Sequence, residues 1–148
     1  MVPKGLPFEF IEHTADVGIL ARGATLAEAF QNAAQGMFSI IADLSRVAEK
    51  AERRVTVAGR DLEGLLVAWL SELLYIFDAE GVIFSRFAID EIGPLAEGLN
   101  PQLRARVCGE PFDPERHEPR LAVKAVTRHQ LSVRQGRDGW EARVILDI

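Results

Sequence analysis

The 148-residue chain has a single cysteine, Cys108, so an intrachain disulfide is excluded. No apolar run approaches the roughly 20 residues that a membrane span needs, and the most apolar segment, LLVAWLSELLYIF, is broken by Ser71 and Glu72. The opening MVPKGLPFEF has neither the charged region nor the apolar core of a signal peptide. A cytoplasmic protein with no membrane partner is therefore expected. Cations are in the minority, 17 against 22 acidic residues, for a net charge of -5. A field of that sign repels polyanions, so tight direct binding of nucleic acid is not expected, whereas divalent cations or a protein partner fit it.

The common catalytic signatures are missing as well. There is no GxxxxGK phosphate loop, no nucleophile elbow, no paired-cysteine zinc motif and no HExxH. Cys108, His117 in the Pro-bounded acidic loop EPFDPERHEP and His129 in TRHQ read as structural or surface residues. Asp78 and Glu80 read as solvated turn residues near a helix end, and Trp69 and Trp140 as anchors of the core or sheet.

What is present is the composition of one globular domain, 48% hydrophobic and 26% charged with both signs interspersed. Short strands are expected at 8–11 and 17–22, on either side of a polar turn. Thr25 with Glu28 forms a capping-box pattern, and Leu26, Ala29, Phe30, Ala33, Met37 and Ile41 then repeat at helical spacing. RRVTVA at 53–58 alternates as a strand, Gly59 breaks it, and Asp61 is placed to cap a second helix with a broad apolar face that Gly81 stops. Alternating segments at 83–92, 102–108, 121–127, 130–135 and 140–147 predict strands, the last two joined by QGRDG. The expected class is α+β, a single domain with two helices packed on largely antiparallel β-sheets.

Two stretches carry candidate chemistry. EHTADVGI at 12–19 crowds Glu12, His13, Thr14 and Asp16 together, and the chain ends GWEARVILDI, with Asp147 beside the α-carboxylate of Ile148. Two such carboxylates supply up to four oxygens, which suit a hard cation such as Ca²⁺, Mg²⁺ or Mn²⁺. Calcium takes about six to eight oxygens and magnesium about six, so a third acid and water are needed. Asp16 is the best candidate for that acid, an Asx-turn being its alternative role. Lys124 interrupts the apolar LAVKAVT; its ammonium either snorkels to solvent or faces a phosphate or the acids.

Taken together, EHTADVGI (12–19), GATLAEAFQNAAQGMF (23–38), EGLLVAWLSELLYIFD (63–78), VKAVT (123–127) and the terminal GWEARVILDI resemble the archease family, in order along nearly the whole chain. The resemblance implies a two-helix α+β fold with antiparallel sheets. It further implies a small cytosolic accessory protein, not itself an enzyme, that activates an RtcB-type RNA ligase in tRNA splicing and RNA repair by promoting guanylylation of the ligase histidine. It places a metal site on Asp16, Asp147 and the carboxylate of Ile148, with calcium the family's metal and Mn²⁺ or Mg²⁺ also suited to hard oxygen ligands, and it gives Lys124 the activating role. One departure stands out: Arg128 occupies the position after VKAVT where the family often has an aromatic residue. Two rival readings are a metal-dependent hydrolase using the same acids, and a non-catalytic chaperone or binding module with a structural metal. The hydrolase lacks the histidine ligands, general base or activated nucleophile that most such sites show.

Overall fold

Local signals in the sequence set the two long helices. In the computed structural model, which describes residues 7–12 and 15–148 (of Glu12 the backbone only), Thr25 Oγ1 accepts the Glu28 N–H at 3.1 Å and the Glu28 carboxylate accepts the Ala24 N–H at 2.7 Å. This reciprocal cap opens helix α1, Leu26–Ile41. Asp61 caps helix α2, Leu62–Glu80, through the Gly64 N–H at 2.7 Å, and Gly81 ends it in the left-handed conformation at φ 67°. A third, one-turn helix, α3 (Pro114–His117), replaces part of the expected Pro-bounded loop, because Asp113 caps it and Pro114 takes its first turn.

Seven strands form two antiparallel sheets. One has the order β1-β2-β7-β6, from Phe8–Glu12, Asp16–Gly23, Gly139–Asp147 and Ala125–Gly136; the other has the order β3-β5-β4, from Ala51–Ala58, Gln102–Pro111 and Val82–Gly93. The chain is thus a single α+β domain of the expected class, and no helix of the described residues is long and apolar enough to cross a membrane. The helices lie against the sheets around one core. Trp69, Phe30, Phe38 and Met37 are fully buried there, and the Trp69 indole N–H donates to the Phe30 carbonyl at 3.0 Å. Gly36 lets α1 approach the first sheet, since a β-carbon there would stand 3.2 Å from the Phe8 ring and 3.3 Å from Ile19.

Two sequence expectations change in the second half. The strands foreseen at 121–127 and 130–135 are one strand, β6, that starts only at Ala125. The segment before it is drawn away from the sheet, because Arg120 and Leu121 donate their N–H groups to the α1 carbonyls of Ile41 and Ile40 at 2.8 and 3.0 Å. The gap foreseen at 128–129 is a bulge: pairing to β7 jumps from Thr127↔Ile145 to Ser132↔Arg143, leaving residues 128–131 opposite Val144 alone.

His117 is structural, as read, but more deeply so than a loop position implies. It is fully buried, with Nδ1 accepting the Asp113 N–H at 2.9 Å; that fixes the proton on Nε2, which faces Glu110 Oε2 at 2.9 Å. Glu110, 1% exposed, also accepts the Ala48 N–H at 2.7 Å, pairs with Arg116, and has the Lys50 ammonium at 3.5 Å. The Ala48 N–H first, then His117 and Arg116, hold its carboxyl down at about 2 against an ordinary 4.5. A depressed folded-state value stabilises fully above the unfolded value and is lost as pH falls through the folded one. Acid unfolding should therefore steepen between pH 4.5 and about 2. A Glu110→Gln variant, followed by circular dichroism, is expected to be less stable at pH 7 and to lose part of that acid dependence; a slope identical to wild type would contradict the assignment.

Candidate functional site

Strand order brings the two ends of the chain together. Because β2 and β7 are antiparallel neighbours, the first residue of β2 meets the last of β7, and Asp16 stands directly across from Asp147. Direct cross-strand partners project to the same face with β-carbons about 4.5–5.5 Å apart. Both aspartates are half-buried. Ala125 of β6 flanks Asp147 on its other side, so the pair lies on the two inner strands at one end of the four-stranded sheet, an acidic corner where β2 begins and β7 ends.

Main-chain hydrogen bonds complete this corner. The Lys124 N–H donates to the Asp147 carbonyl at 2.8 Å, and the Ile148 N–H donates to the Ala15 carbonyl at 3.3 Å. Ile148 is half-buried, its side chain packed on the core, so the end of β7 is held rather than frayed. Lys124 is exposed, just outside β6, and forms no ion pair among the described residues. All four predicted site residues, Asp16, Asp147, Ile148 and Lys124, thus meet at one place. His13 and Thr14 lie outside the described residues, as does the Glu12 side chain.

The charge pattern along this face distinguishes its two ends. At the far end Arg22 stands across from Glu141, with Nε 3.7 Å from its carboxylate, and binds Glu9 at 2.6 Å. That is the usual cross-strand compensation. At the near end an acid opposes an acid, an arrangement that disfavours folding unless a cation offsets it. Among the described residues no group of three or more His, Cys, Asp or Glu side chains is placed to hold a metal ion. Among the described residues, the donors available to a cation at the Asp16/Asp147 corner are two side-chain carboxylates and the carboxylate of Ile148, all hard oxygens.

Sequence reasoning missed the floor of this corner. One row inward on the same face stand Ile11, Gly18, Ile145 and Thr127, and Ile145 is 1% exposed although it points away from the main core. Gly18 makes this possible, since a β-carbon there would come within 2.9 Å of Ile11 and 3.0 Å of Ile145. The glycine of ADVGI was the available signal. An apolar floor lowers the local dielectric and strengthens whatever charge interactions form above it.

Comparison with known proteins gives a consistent result. The model of the archease protein family (MTH1598/TM1083) matches residues 8–148. Protein archease of Methanosarcina acetivorans is 43% identical over 148 residues, all of both chains. Protein archease of Pyrococcus furiosus is 41% identical over 142 residues, 95% of this chain and 98% of the relative. Among solved structures, the solution structure of Methanobacterium thermoautotrophicum protein 1598 superposes with a TM-score of 0.83 at 41% identity, over 96% of this chain and 99% of that one.

Proposed function

This chain belongs to the archease family, and from that premise we propose that it is an accessory protein that activates an RtcB-type RNA ligase by promoting guanylylation of the ligase histidine. The observation that carries the reading is the acid-to-acid register of Asp16 and Asp147 at a corner where Ile148 and Lys124 also converge. In this reading Asp16, Asp147 and the Ile148 carboxylate hold a divalent cation, with calcium the family's ion and Mn²⁺ or Mg²⁺ equally compatible with hard oxygen donors. When bound, the ion supplies positive charge to a triphosphate.

The chain's own residues do the rest. Asp16 and Asp147 fix the ion at a strand corner rather than on a mobile loop, and the buried Ile145 floor limits access of water from beneath. Lys124, anchored through its main chain to Asp147, brings a second positive charge within reach of the same phosphates. Phosphoryl-type transfer responds mainly to such positioning and charge neutralisation. The nucleophile, the nucleotide pocket and the RNA belong to the ligase.

The direct test mixes the protein with an RtcB-type ligase, GTP and a divalent cation, and follows labelled guanylate on the ligase with time. Faster guanylylation with the protein present is expected. A rate unchanged by its addition, across Ca²⁺, Mn²⁺ and Mg²⁺, would remove this function.

A further inference from the structure

A second charged feature begins at the same corner but is independent of the acids. Residues 124–137 contain Lys124, Arg128, Arg134 and Arg137 and no acidic residue, in a chain whose net charge is -5. All four side chains are exposed, and among the described residues none of them forms an ion pair. Among the described residues most cations of the second sheet are matched instead, Arg53 with Glu80, Arg86 with Glu49, Arg104 with Glu91 and Arg106 with Asp90, and only Arg54 forms no ion pair. The acids nearest the row are Asp138 in the turn, Asp147 at the corner, Glu63 of α2, which accepts the Val133 N–H at 3.4 Å, and Glu141, which stands across from Arg134 but engages Arg22 at 3.7 Å.

The fold arranges these cations in a line. They follow β6, the edge strand of its sheet, and at 3.4 Å per residue of β7 the line is about 30 Å long. The bulge at 128–131, with Gln130 at φ 54°, lifts Arg128 out of the ladder; Thr127 steadies it, its hydroxyl donating to the Ile145 carbonyl at 2.9 Å and accepting the His129 N–H at 3.3 Å. A bulged edge resists addition of another strand, and the outward-facing Val133 N–H is already met by Glu63 at 3.4 Å. Main-chain pairing with a partner strand is thus obstructed, while the side-chain charges are presented.

We infer that the β6 edge is a contact surface for the phosphate chain of single-stranded RNA or DNA, engaged through Lys124, Arg128, Arg134 and Arg137. Three of the four are arginines, whose planar fork matches phosphate oxygens. A flexible phosphate chain can register on unevenly spaced cations along one line, whereas a duplex presents two rigid rows. The net negative charge keeps this contact weak, so it guides a strand held elsewhere rather than capturing it.

Anisotropy of a fluorescent 12-nucleotide oligouridylate, with EDTA present and no ligase, tests this surface apart from the proposed metal site and ligase function. With four phosphate contacts the affinity should fall about 50-fold between 50 and 200 mM salt, and less than about threefold in a variant with Arg128, Arg134 and Arg137 all changed to alanine. That variant should also bind at least about tenfold more weakly at 50 mM salt. A control with Arg54, Arg86 and Arg104, all of the second sheet, changed to alanine carries the same net charge and should bind like wild type. Equal loss in both variants, or no binding by the wild type, overturns the inference. So does equal competition by an oligoglutamate of matched charge, which would assign the row to an acidic protein. Unchanged RNA binding with new self-association of the row variant would reduce the row to protection of the strand edge.

Discussion

Asp147→Ala is expected to return the ligase to its unassisted rate of guanylylation, a loss on the order of 10²-fold, the usual scale for removing one group that stabilises developing charge. The same should hold for Asp16→Ala. Asp147→Ala should not be a folding mutant, because the main-chain hydrogen bonds that hold this strand end, Lys124 N–H to the Asp147 carbonyl and Ile148 N–H to the Ala15 carbonyl, survive the substitution. In metal-free solution Asp147→Ala should melt no lower than wild type, because it removes one of two like charges held in register. With saturating cation the order should reverse, since an ion that binds only the folded state raises its stability. Activation undiminished in Asp147→Ala would refute the role given to this corner. One added residue after Ile148 moves the terminal carboxylate by about 3.4 Å, and should lower metal affinity at least about tenfold if that group is a ligand. Turnover of RNA or nucleotide by the protein alone, abolished in Asp16→Ala, would instead favour the hydrolase reading.

The largest effect on stability is expected at Trp69. Its side chain is fully buried between the helices and its indole N–H is satisfied by Phe30 of α1, so truncation to alanine both opens a cavity and removes the bond that ties α2 to α1. Aromatic-to-alanine changes in such cores cost about 3–5 kcal/mol, a large fraction of the roughly 5–15 kcal/mol that keeps a domain folded. A fall in melting temperature of roughly 10–15 °C follows for a domain near this size. Trp69→Phe should cost distinctly less, because the ring volume is mostly retained. A calorimetric midpoint within 3 °C of wild type for Trp69→Ala, a margin of about 1 kcal/mol, would show that the helices are held elsewhere. Together these predictions separate the two ends of the design: Trp69 maintains the fold without touching the corner, and Asp147 serves the corner without holding the fold.

Much of the fold was legible because its signals are local. Thr25 with Glu28 and Asp61 open their helices by side-chain bonds acting over three or four residues, Gly81 ends α2 by its left-handed backbone, and the apolar repeats match the faces that are buried. The strand alternation at 53–58 likewise survives, with Val55 buried and its neighbours exposed. Where distant partners compete, the local reading gave way. The strand expected from 121 gives way because Arg120 and Leu121 bond to the end of α1, so β6 begins later. His117 looked like a loop histidine, and its buried setting joins Glu110 and Asp113 of its own stretch to the distant Ala48, whose N–H donates to Glu110.

The candidate site divides in the same way. From the sequence alone came the identities of Asp16, Lys124, Asp147 and Ile148, the hard-oxygen chemistry of the acids, and the excess of negative charge, because composition and motif are properties of the chain itself. That Asp16 faces Asp147, that Lys124 is tied to it, that Gly18 admits Ile145 beneath, and that four cations line one edge were decided only by the tertiary structure. Pairing between the first and last strands of this corner is non-local, and shifting their register by one residue would send one aspartate to the opposite face of the sheet.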